Sequence, residues 1–329
     1  MPENDTTAVL LMNYGGPEGP GDCEGYIRNI FMDPDLIPIP GFLRPLIARV
    51  AARKRAPFLQ QNYESMGMYS PILEQTQAQA DALQEELGDG HRCYVGMRYF
   101  RPYIADVVES ILERGHKKIV LLPLYPQESS TTTGSSNREA ARALRAGGFA
   151  GEVGEVKSFW SRPDYLDAMA ELLQAALERV PEDSGLLFAA HGLPLSVARR
   201  DPYPGQVRQT VKAFCGRVGR QLPDAVNGLE SESVVLGWQS KVGPMKWLEP
   251  SVETVLESWS RAGRRHVVLM PVAFVSEHSE TLYELDVLYR NTANELGMAF
   301  TRIPTLQTHP GLISALAGAV KEVEVGTKD

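Results

Sequence analysis

The sequence predicts an α/β protein with two similar halves, each built on a parallel sheet. Short apolar runs rich in β-branched residues, which are typical of strands buried on both faces, alternate with segments of helical length. This alternation indicates βαβ units. A second series begins near residue 156, after a glycine-rich stretch at 147–154. We assign residues 1–155 to the first domain and 156–307 to the second, and we expect the last helix, within 308–325, to pack back on the first domain.

The predicted elements follow one another regularly along each half. The first half has a strand at 8–13, a helix at 71–87, a strand at 93–97, a helix at 104–114 and a strand at 118–124. The second half has a helix at 164–178, a strand at 185–190, a helix at 204–220, a strand at 233–238, a helix at 250–261, a strand at 267–275, a strand at 299–303 and a final helix at 311–323. Ligands of open α/β sheets bind outside the carboxyl ends of the strands, so residues that follow a strand are the first candidates for a site.

Composition places the chain among soluble globular proteins of about two domains. It has 329 residues, of which 43% are hydrophobic and 22% charged. The formal net charge of -8 argues against a nucleic-acid partner held through its phosphates. The three cysteines are scattered and odd in number, and we find neither a secretory or transit peptide nor an apolar run of about 18 residues. We therefore expect a cytoplasmic protein.

The first strand runs directly into the turn Tyr14-Gly15-Gly16-Pro17. Two glycines after a strand allow a tight turn and a close approach of the backbone to a ligand. The spacing is not GxGxxG, so a dinucleotide site is not supported. Tyr14 is expected either to point into a cleft or to cap the core of its domain.

Residues 31–57 combine prolines with large apolar side chains and then a cluster of basic residues. The prolines at 34, 38, 40 and 45 are expected to prevent an early helix. Residues 36–46 are then either a packed loop or an exposed apolar lip. A lip beside a basic cluster would suit an amphipathic anionic ligand or peripheral contact with membrane headgroups.

Three further features lie at or after the ends of predicted strands. Residues 129–136 are nearly all hydroxyl-bearing or glycine and precede a helix, so they predict either an anion site or a loop rich in N-cap residues. His191 stands at the carboxyl end of an apolar strand, where a functional role is favoured over a structural one. Trp238 and Trp247 lie in a Pro/Gly-containing segment and predict either a flat apolar wall for an aromatic ligand or two core residues.

The most acidic segment follows the apolar run at 267–275. Glu277, Glu280 and Glu284 are three and four residues apart, so on a helix they would form one acidic stripe, with His278 beside them. Carboxylate oxygens and an imidazole at a strand end suit a divalent cation, a proton relay or both. The alternative is a solvated acidic first turn that faces the helix dipole.

Five segments resemble the ferrochelatases, a family that inserts ferrous iron into a porphyrin in heme synthesis. They are LLMNYGGPE, LPLYPQESSTTTGSS, FAAHGLPLSVARRDPYPGQV, LGWQSKVGPMKWLEPS and PVAFVSEHSETLYELD. They occur in the family's order and span the chain from about residue 8 to about residue 310. The resemblance implies two Rossmann-like domains with a porphyrin cleft between them.

The same resemblance implies the roles of the site residues. His191 and Glu280 would be the central catalytic pair, with Glu277, His278 and Glu284 behind them as an acidic path, and all five would bind the metal. Ferrous iron and porphyrin would be substrates, and no cofactor would be permanently bound. Animal members carry an iron–sulfur cluster on a C-terminal extension, and we expect none here.

The porphyrin itself would be held by side chains from several elements. Candidates for the walls of its site are the lip at 36–46, Met97, Trp238 and Trp247. Candidates for the propionates are Arg55, Tyr63, Ser70, Arg98 and the 129–136 loop, in particular Ser130 and Thr131.

The substrate remains open between two porphyrins. Tyr14 resembles the branch that acts on coproporphyrin, in which a tyrosine can ligate iron, whereas the lip and the TTTGSS loop resemble the protoporphyrin branch. Leu288 replaces an acidic residue that extends the stripe in some members. We favour protoporphyrin IX, with coproporphyrin III as the alternative. A porphyrin or heme carrier and a chelatase for another metal and tetrapyrrole are the other candidate functions, and both a monomer and a homodimer are compatible with the sequence.

Overall fold

The computed structural model describes residues 6–37, 39–223, 228–241 and 243–326. The chain divides into two compact units, one formed by Met1–Phe159 with Ile313–Asp329 and the other by Trp160–Leu312. The division lies at residues 159–160, where 155–156 was predicted. We refer to them as unit 1 and unit 2.

Unit 1 contains a four-stranded parallel sheet with the order β2-β1-β3-β4. Its strands are β1 (Thr7–Asn13), β2 (His91–Met97), β3 (Lys118–Pro123) and β4 (Glu152–Glu155). Its helices are α1 (Cys23–Met32), α2 (Arg44–Met66), α3 (Ile72–Leu87), α4 (Ile104–Glu113) and α5 (Thr133–Ala146). All seven residues of β1 are buried, as expected for a central strand covered on both faces.

Unit 2 repeats this arrangement in a second parallel sheet with the order β6-β5-β7-β8. Its strands are β5 (Gly185–His191), β6 (Val234–Gln239), β7 (His266–Pro271) and β8 (Ala299–Arg302). Its helices are α6 (Pro163–Leu177), α7 (Leu195–Ala198), α8 (Tyr203–Arg217), α9 (Val252–Arg261), α10 (Ser279–Leu282), a π-helix (Glu284–Tyr289) and α11 (Arg290–Glu295). The predicted α/β class with two parallel sheets is therefore confirmed.

The last helix, α12 (Pro310–Gly326), begins in unit 2 and belongs to unit 1 from Ile313 onward. Glu324 on this helix forms an ion pair with His91 at the start of β2, with 3.1 Å between Oε2 and Nε2. Val323 lies over β4, where a Cβ atom on Gly154 would approach its Cγ2 to 3.0 Å. Glycine at 154 thus leaves room for the helix to lie against the strand.

Three local predictions were wrong or incomplete. Helix α2 starts at Arg44 despite Pro45, because a proline in the first turn removes only an N–H group that has no partner inside the helix, and it continues through Pro57. Strand β7 ends at Pro271 rather than at residue 275, since Pro271 has no N–H to donate to the sheet. Helix α1, strand β4 and the π-helix were not predicted.

The predicted lip at 36–46 is packed at one end and exposed at the other. Leu36, Ile37 and Ile39 are half-buried, whereas Phe42 is 82% exposed, and Pro38 lies outside the described residues. The exposed apolar surface continues into α2, where Leu46 is 64% and Val50 47% exposed. Among the described residues, no helix is both long enough and apolar enough to span a bilayer.

Candidate active site

The candidate site lies in unit 2, where three neighbouring strands end. β5 lies between β6 and β7, and His191 at the end of β5 is paired in register with Gln239 at the end of β6. The segment that carries Glu277, His278 and Glu280 begins a few residues after β7. Because parallel strands end at the same edge of a sheet, side chains from separate parts of the chain meet there.

His191 presents one ring nitrogen to this site and uses the other to fix its orientation. Its Nδ1 lies 2.6 Å from the carbonyl oxygen of Gly192, which can only accept a hydrogen bond, so we place the ring proton on Nδ1. The Nε2 lone pair is then free of a proton and faces Glu280, with 3.7 Å between Nε2 and Oε2. The buried Tyr203 hydroxyl donates to the backbone carbonyl of His191 at 3.1 Å and holds the end of the strand.

Glu280 lies on α10, a single helical turn of four residues. Its Oε2 atom is buried and receives no hydrogen bond from any residue that the structure describes. Nε2 of His191 and Nε2 of His278 lie 3.7 and 4.0 Å from it. The described residues contain no group of three or more His, Cys, Asp or Glu already arranged to hold a metal ion.

His278 is the N-cap residue of α10; its side chain is 14% exposed and lies against Phe274, with 4.6 Å between the ring centroids. Its Nδ1 lies 3.2 Å from the carbonyl oxygen of Ser276, which places the proton on Nδ1 and the lone pair on Nε2. Burial lowers the pKa of His278 and outweighs the opposing effect of the Glu280 carboxylate. The His278 ring is therefore neutral at neutral pH, with its lone pair on Nε2.

Glu284 begins the π-helix, and its Oε2 accepts hydrogen bonds from Ser240 Oγ at 2.7 Å and from Gln239 Nε2 at 3.3 Å. Burial raises its pKa to about 7, and the nearby negative charge of Glu280 adds to the increase. Glu284 therefore exchanges a proton close to neutral pH, which an ordinary surface glutamate does not.

Glu277 departs from the predicted acidic stripe. It precedes α10 and is 5% exposed, and its Oε1 accepts hydrogen bonds from Arg302 Nη1 at 2.6 Å and from the backbone N–H of Thr305 at 2.9 Å. Burial alone would raise the pKa of Glu277, but the Arg302 ion pair and the hydrogen bonds outweigh it and lower that pKa. The prediction that three glutamates line one helix was wrong, because the segment is not one continuous helix.

Gln239 and Ser240 were missed by the sequence analysis. Gln239 is 1% exposed, and its Nε2 bridges the backbone carbonyl of Glu280 at 3.0 Å and the Glu284 carboxylate. Ser240 adopts a φ of 65°, an uncommon backbone conformation for a residue other than glycine. Two polar residues directly after an apolar strand were the available signal, since they stand where His191 stands on the neighbouring strand.

Comparison with known proteins decides the family. A model of the family described as Ferrochelatase matches residues 6–324. The protein named Ferrochelatase from Aquifex aeolicus (strain VF5) is 42% identical over 318 residues, covering 95% of this chain and 98% of that one. The Ferrochelatase of Geotalea daltonii is 39% identical, covering 98% of this chain and 99% of that one. The chain belongs to the ferrochelatase family.

Solved structures agree on the fold. SirB from Bacillus subtilis, solved with Fe³⁺, superposes with a TM-score of 0.59 at 10% identity, covering 98% of this chain and 97% of that one. CbiX, described as the terminal enzyme of siroheme biosynthesis in denitrifying bacteria, gives 0.51 at 14% identity, covering 96% and 98%. At such identities the likeness shows the Rossmann-like chelatase fold alone. The family membership, in contrast, shows an enzyme that inserts iron into a porphyrin.

For a ferrochelatase, the predicted porphyrin residues of unit 1 become relevant, and several are deeply buried. Met97 is 0% and Tyr63 1% exposed, and Tyr63 stacks on Tyr69 with 5.4 Å between ring centroids. Ser70 packs against Gly16, where a Cβ atom would come within 2.3 Å of the Ser70 Oγ. That hydroxyl is buried without a hydrogen-bond partner among the described residues.

The other unit 1 candidates are closer to the surface. Tyr14 follows β1, is half-buried and packs edge-on against Tyr99, with 4.7 Å between centroids. Arg98 donates to Asp33 Oδ2 at 2.9 Å and to Ser135 Oγ at 2.8 Å, so its guanidinium is largely committed to the protein. Arg55 is exposed and lies over the ring of Phe31 at 5.2 Å.

The hydroxyl-rich loop at 129–136 does not cap α5 in the predicted way. The N-cap residue Thr132 makes no side-chain capping hydrogen bond. Thr131 stays near the surface, with 3.0 Å between its Oγ1 and the Oγ of Ser129, while the backbone carbonyl of the exposed Ser130 accepts from Arg138 at 2.7 Å. The N-cap alternative for this loop is therefore wrong for Thr132.

The two predicted tryptophans lie beside the His191 loop in unit 2. Trp238 is 7% exposed in β6, and Trp247 forms an isolated antiparallel bridge with Pro194. A Cβ atom on Gly192 would approach the Trp247 ring to 3.3 Å and the carbonyl oxygen of Gln239 to 3.0 Å. Glycine at 192 thus permits the close packing of this loop, and both tryptophans remain candidates for the porphyrin wall.

Proposed function

We propose that His191 and Glu280 form the central pair with which this ferrochelatase family member inserts ferrous iron into a porphyrin. The observation that carries the proposal is the buried Glu280 Oε2, which receives no hydrogen bond from the described residues while two imidazole nitrogens lie within 4.0 Å. Buried acceptors without a donor are uncommon in folded proteins. A cation or a proton placed here could interact with Glu280 Oε2 and with the Nε2 atoms of His191 and His278.

The chemistry of metallation requires both of those species at one centre. Two pyrrole N–H protons leave the porphyrin and one Fe²⁺ takes their place, so the metalloporphyrin is neutral and the two positive charges leave as protons that a base must accept. The free Nε2 lone pair of His191 suits the acceptance of a pyrrole proton near neutral pH. Glu280 beside it would stabilise the resulting imidazolium, and imidazole and carboxylate are both acceptable ligands for ferrous iron.

Glu284 is proposed as the next group behind Glu280. With a pKa near 7 it is present in both protonation states at neutral pH, so it can take up a proton or, when ionised, attract a cation. His278 contributes a second neutral imidazole to the same point. The predicted metal-binding role of Glu277 remains a prediction, and its ion pair with Arg302 opposes it.

We favour protoporphyrin IX as the porphyrin, with coproporphyrin III as a second candidate because Tyr14 occupies the turn after β1. Ser70, Thr131 and the partly exposed Arg98 are proposed to contact the porphyrin carboxylates, since hydroxyl groups and a guanidinium suit such groups and the Ser70 hydroxyl has no hydrogen-bond partner among the described residues. Met97 and Tyr63 would then support the site from inside unit 1 rather than touch the macrocycle.

Peripheral membrane contact is proposed for the exposed apolar surface formed by Phe42, Leu46 and Val50. Exposed Arg49 and Arg53 lie on the same helix, and apolar side chains beside basic ones suit anionic lipid headgroups. Phe42→Ser with Leu46→Ser should reduce co-sedimentation with phosphatidylserine vesicles. The matched control is Val153→Ser, which replaces an exposed valine of β4. Equal binding of both variants would overturn this contact.

The function is tested by offering ferrous iron anaerobically with protoporphyrin IX and with coproporphyrin III in parallel, and following metalloporphyrin formation by absorbance. Faster turnover of protoporphyrin IX is expected. Faster turnover of coproporphyrin III would reverse the substrate assignment. Binding of both without metallation would indicate a carrier, and insertion of cobalt or nickel into another tetrapyrrole alone would indicate a different chelatase.

A further inference from the structure

The segment that carries Glu280 has little intrinsic stability. Helix α10 is one turn of four residues, and it is followed by a π-helix of six residues, Glu284–Tyr289. Isolated turns of helix are unfavourable because nucleation costs more conformational entropy than one hydrogen bond returns. π-Helical turns are rare, and many of those found in proteins lie at functional sites. The position of Glu280 must therefore be maintained by contacts from other parts of unit 2.

Arg302, the last residue of β8, makes such contacts at both ends of the segment. Its side chain is 10% exposed. Its Nη1 donates to Glu277 Oε1 at 2.6 Å, ahead of α10. Its Nη2 and Nε donate to Asp286 Oδ2 at 2.6 Å and to Asp286 Oδ1 at 3.0 Å, within the π-helix. One guanidinium thus binds two carboxylates that bracket Glu280 in the sequence.

We infer that Arg302 is a positioning residue that clasps residues 277–286 and so holds Glu280 and His278 in their working geometry. The planar guanidinium fork can bind one carboxylate through two N–H groups and a second through the third nitrogen, which a lysine ammonium cannot reproduce. This inference rests on the proposed role of Glu280. It gives Glu277 a function in holding the segment rather than in carrying iron.

Arg290 provides a matched control within the same cluster. Its Nη2 also pairs with Asp286, at 3.2 Å from Oδ1, but its side chain is 40% exposed, and its other hydrogen bonds go to the backbone carbonyls of Asp286 and Phe300. Removing Arg290 therefore weakens one end of the segment without opening the clasp. A variant at this position reports the effect of losing an arginine beside Asp286 alone.

The test compares Arg302→Lys, Arg290→Lys and a triple variant, Arg302→Met with Glu277→Gln and Asp286→Asn. The triple variant leaves no buried carboxylate without its arginine, so it is the one expected to fold if single substitutions do not. Steady-state metallation with ferrous iron gives kcat and the KM for porphyrin. Thermal unfolding and hydrogen exchange over residues 277–289 are measured on the same preparations.

For the folded Arg302 variants we expect a fall in kcat of about 10- to 100-fold, the range seen when a group that orients a metal ligand is lost. The KM for porphyrin should stay within about twofold, since Arg302 touches no proposed porphyrin residue, and hydrogen exchange should rise in residues 277–289. Arg290→Lys should keep kcat within about twofold.

Two results would overturn the inference. Wild-type kcat in the folded triple variant would show that the clasp does not position Glu280. An equal loss of kcat in Arg290→Lys and Arg302→Lys, in proportion to their thermal destabilisation, would show a merely structural role. Failure of the wild-type protein to metallate any porphyrin would instead refute the proposed function, so the two failures are distinguishable.

Discussion

The two units have the same strand order, but they differ in the hydrogen bonding of a carboxylate near the carboxyl edge of the sheet. In unit 1 the fully buried Asp33 carboxylate accepts hydrogen bonds from Arg98, Tyr99 and Ser135. In unit 2 the Glu280 side chain is 27% exposed, but its Oε2 atom is buried and receives no hydrogen bond from the described part of the chain. A satisfied buried charge stabilises a fold, whereas an unsatisfied acceptor destabilises it.

The two units also differ in the regularity of the helical segment that follows β3 in unit 1 and β7 in unit 2. The helix after β3, α5, is a regular helix of fourteen residues, whereas the segment after β7 is divided into α10, a π-helix and α11. Strained or poorly satisfied local structure persists where surrounding contacts hold it, and it concentrates at functional sites. We therefore propose that the metal chemistry takes place in unit 2.

The largest expected effect is that of His191→Ala, which removes the free imidazole at the end of β5. We expect metallation to fall by at least about 100-fold, because a positioned proton acceptor contributes about that much or more. Porphyrin binding, followed by fluorescence quenching, should survive. Turnover at the wild-type rate would show that His191 has no role in the mechanism. It would also contradict the assignment of the chemistry to unit 2.

Glu280→Gln and Glu284→Gln should distinguish the contributions of Glu280 and Glu284 to metallation. Glu280→Gln is expected to lose most of the activity, since its carboxylate faces both imidazoles, while Glu284→Gln should lose about tenfold because it lies one step further from His191. Metallation rates at matched porphyrin saturation measure both. A greater loss in Glu284→Gln would reverse the proposed order of the path.

Asp33→Asn tests the buried, hydrogen-bonded carboxylate of unit 1, and we expect it to lower the free energy of unfolding. Breaking a buried ion pair costs about 3–5 kcal/mol, because Arg98 keeps its charge without its partner. Burial alone would raise the pKa of Asp33, but its hydrogen bonds to Ser135 and Tyr99 and the Arg98 charge together lower it.

The sign of the pH dependence follows from that lowered pKa. A carboxyl group with a depressed pKa in the folded state stabilises the protein fully above the unfolded value of about 3.9 and loses this contribution as the pH falls through the folded value. The gap in unfolding free energy between wild type and Asp33→Asn should therefore be full at pH 7 and shrink below about pH 4. Urea unfolding at both pH values measures it, and a gap that grows on acidification would contradict the ion-pair explanation.

The smallest effect is expected for Tyr14→Phe, which removes a phenol from the turn after β1. If coproporphyrin is the substrate and Tyr14 ligates the product iron, the oxidised product complex should show a phenolate-to-iron charge-transfer band that Tyr14→Phe abolishes, because a ferric ion stabilises the phenolate. Turnover should change little in either case. An identical product spectrum in the variant would remove the main reason to consider coproporphyrin.

Much of the scaffold could be predicted from the sequence, because buried parallel strands have a local signature. Continuous apolar runs located β1, β3, β5 and the start of β7, and the residues after them included His191, Glu280 and Glu284. The resemblance of five sequence segments to the ferrochelatase family predicted the activity. Those inferences depend only on residues that are close in the sequence.

The tertiary structure decided how these residues are paired. Arg302 binds Glu277 across 25 positions and Asp286 across 16, and Gln239 reaches Glu280 across 41. The helical spacing of the three glutamates predicted a stripe, but Glu277 lies ahead of α10 and pairs with Arg302, Glu280 lies on α10, and Glu284 begins the π-helix. Contacts between the ends of neighbouring strands join distant parts of the chain, so local periodicity carries no information about them.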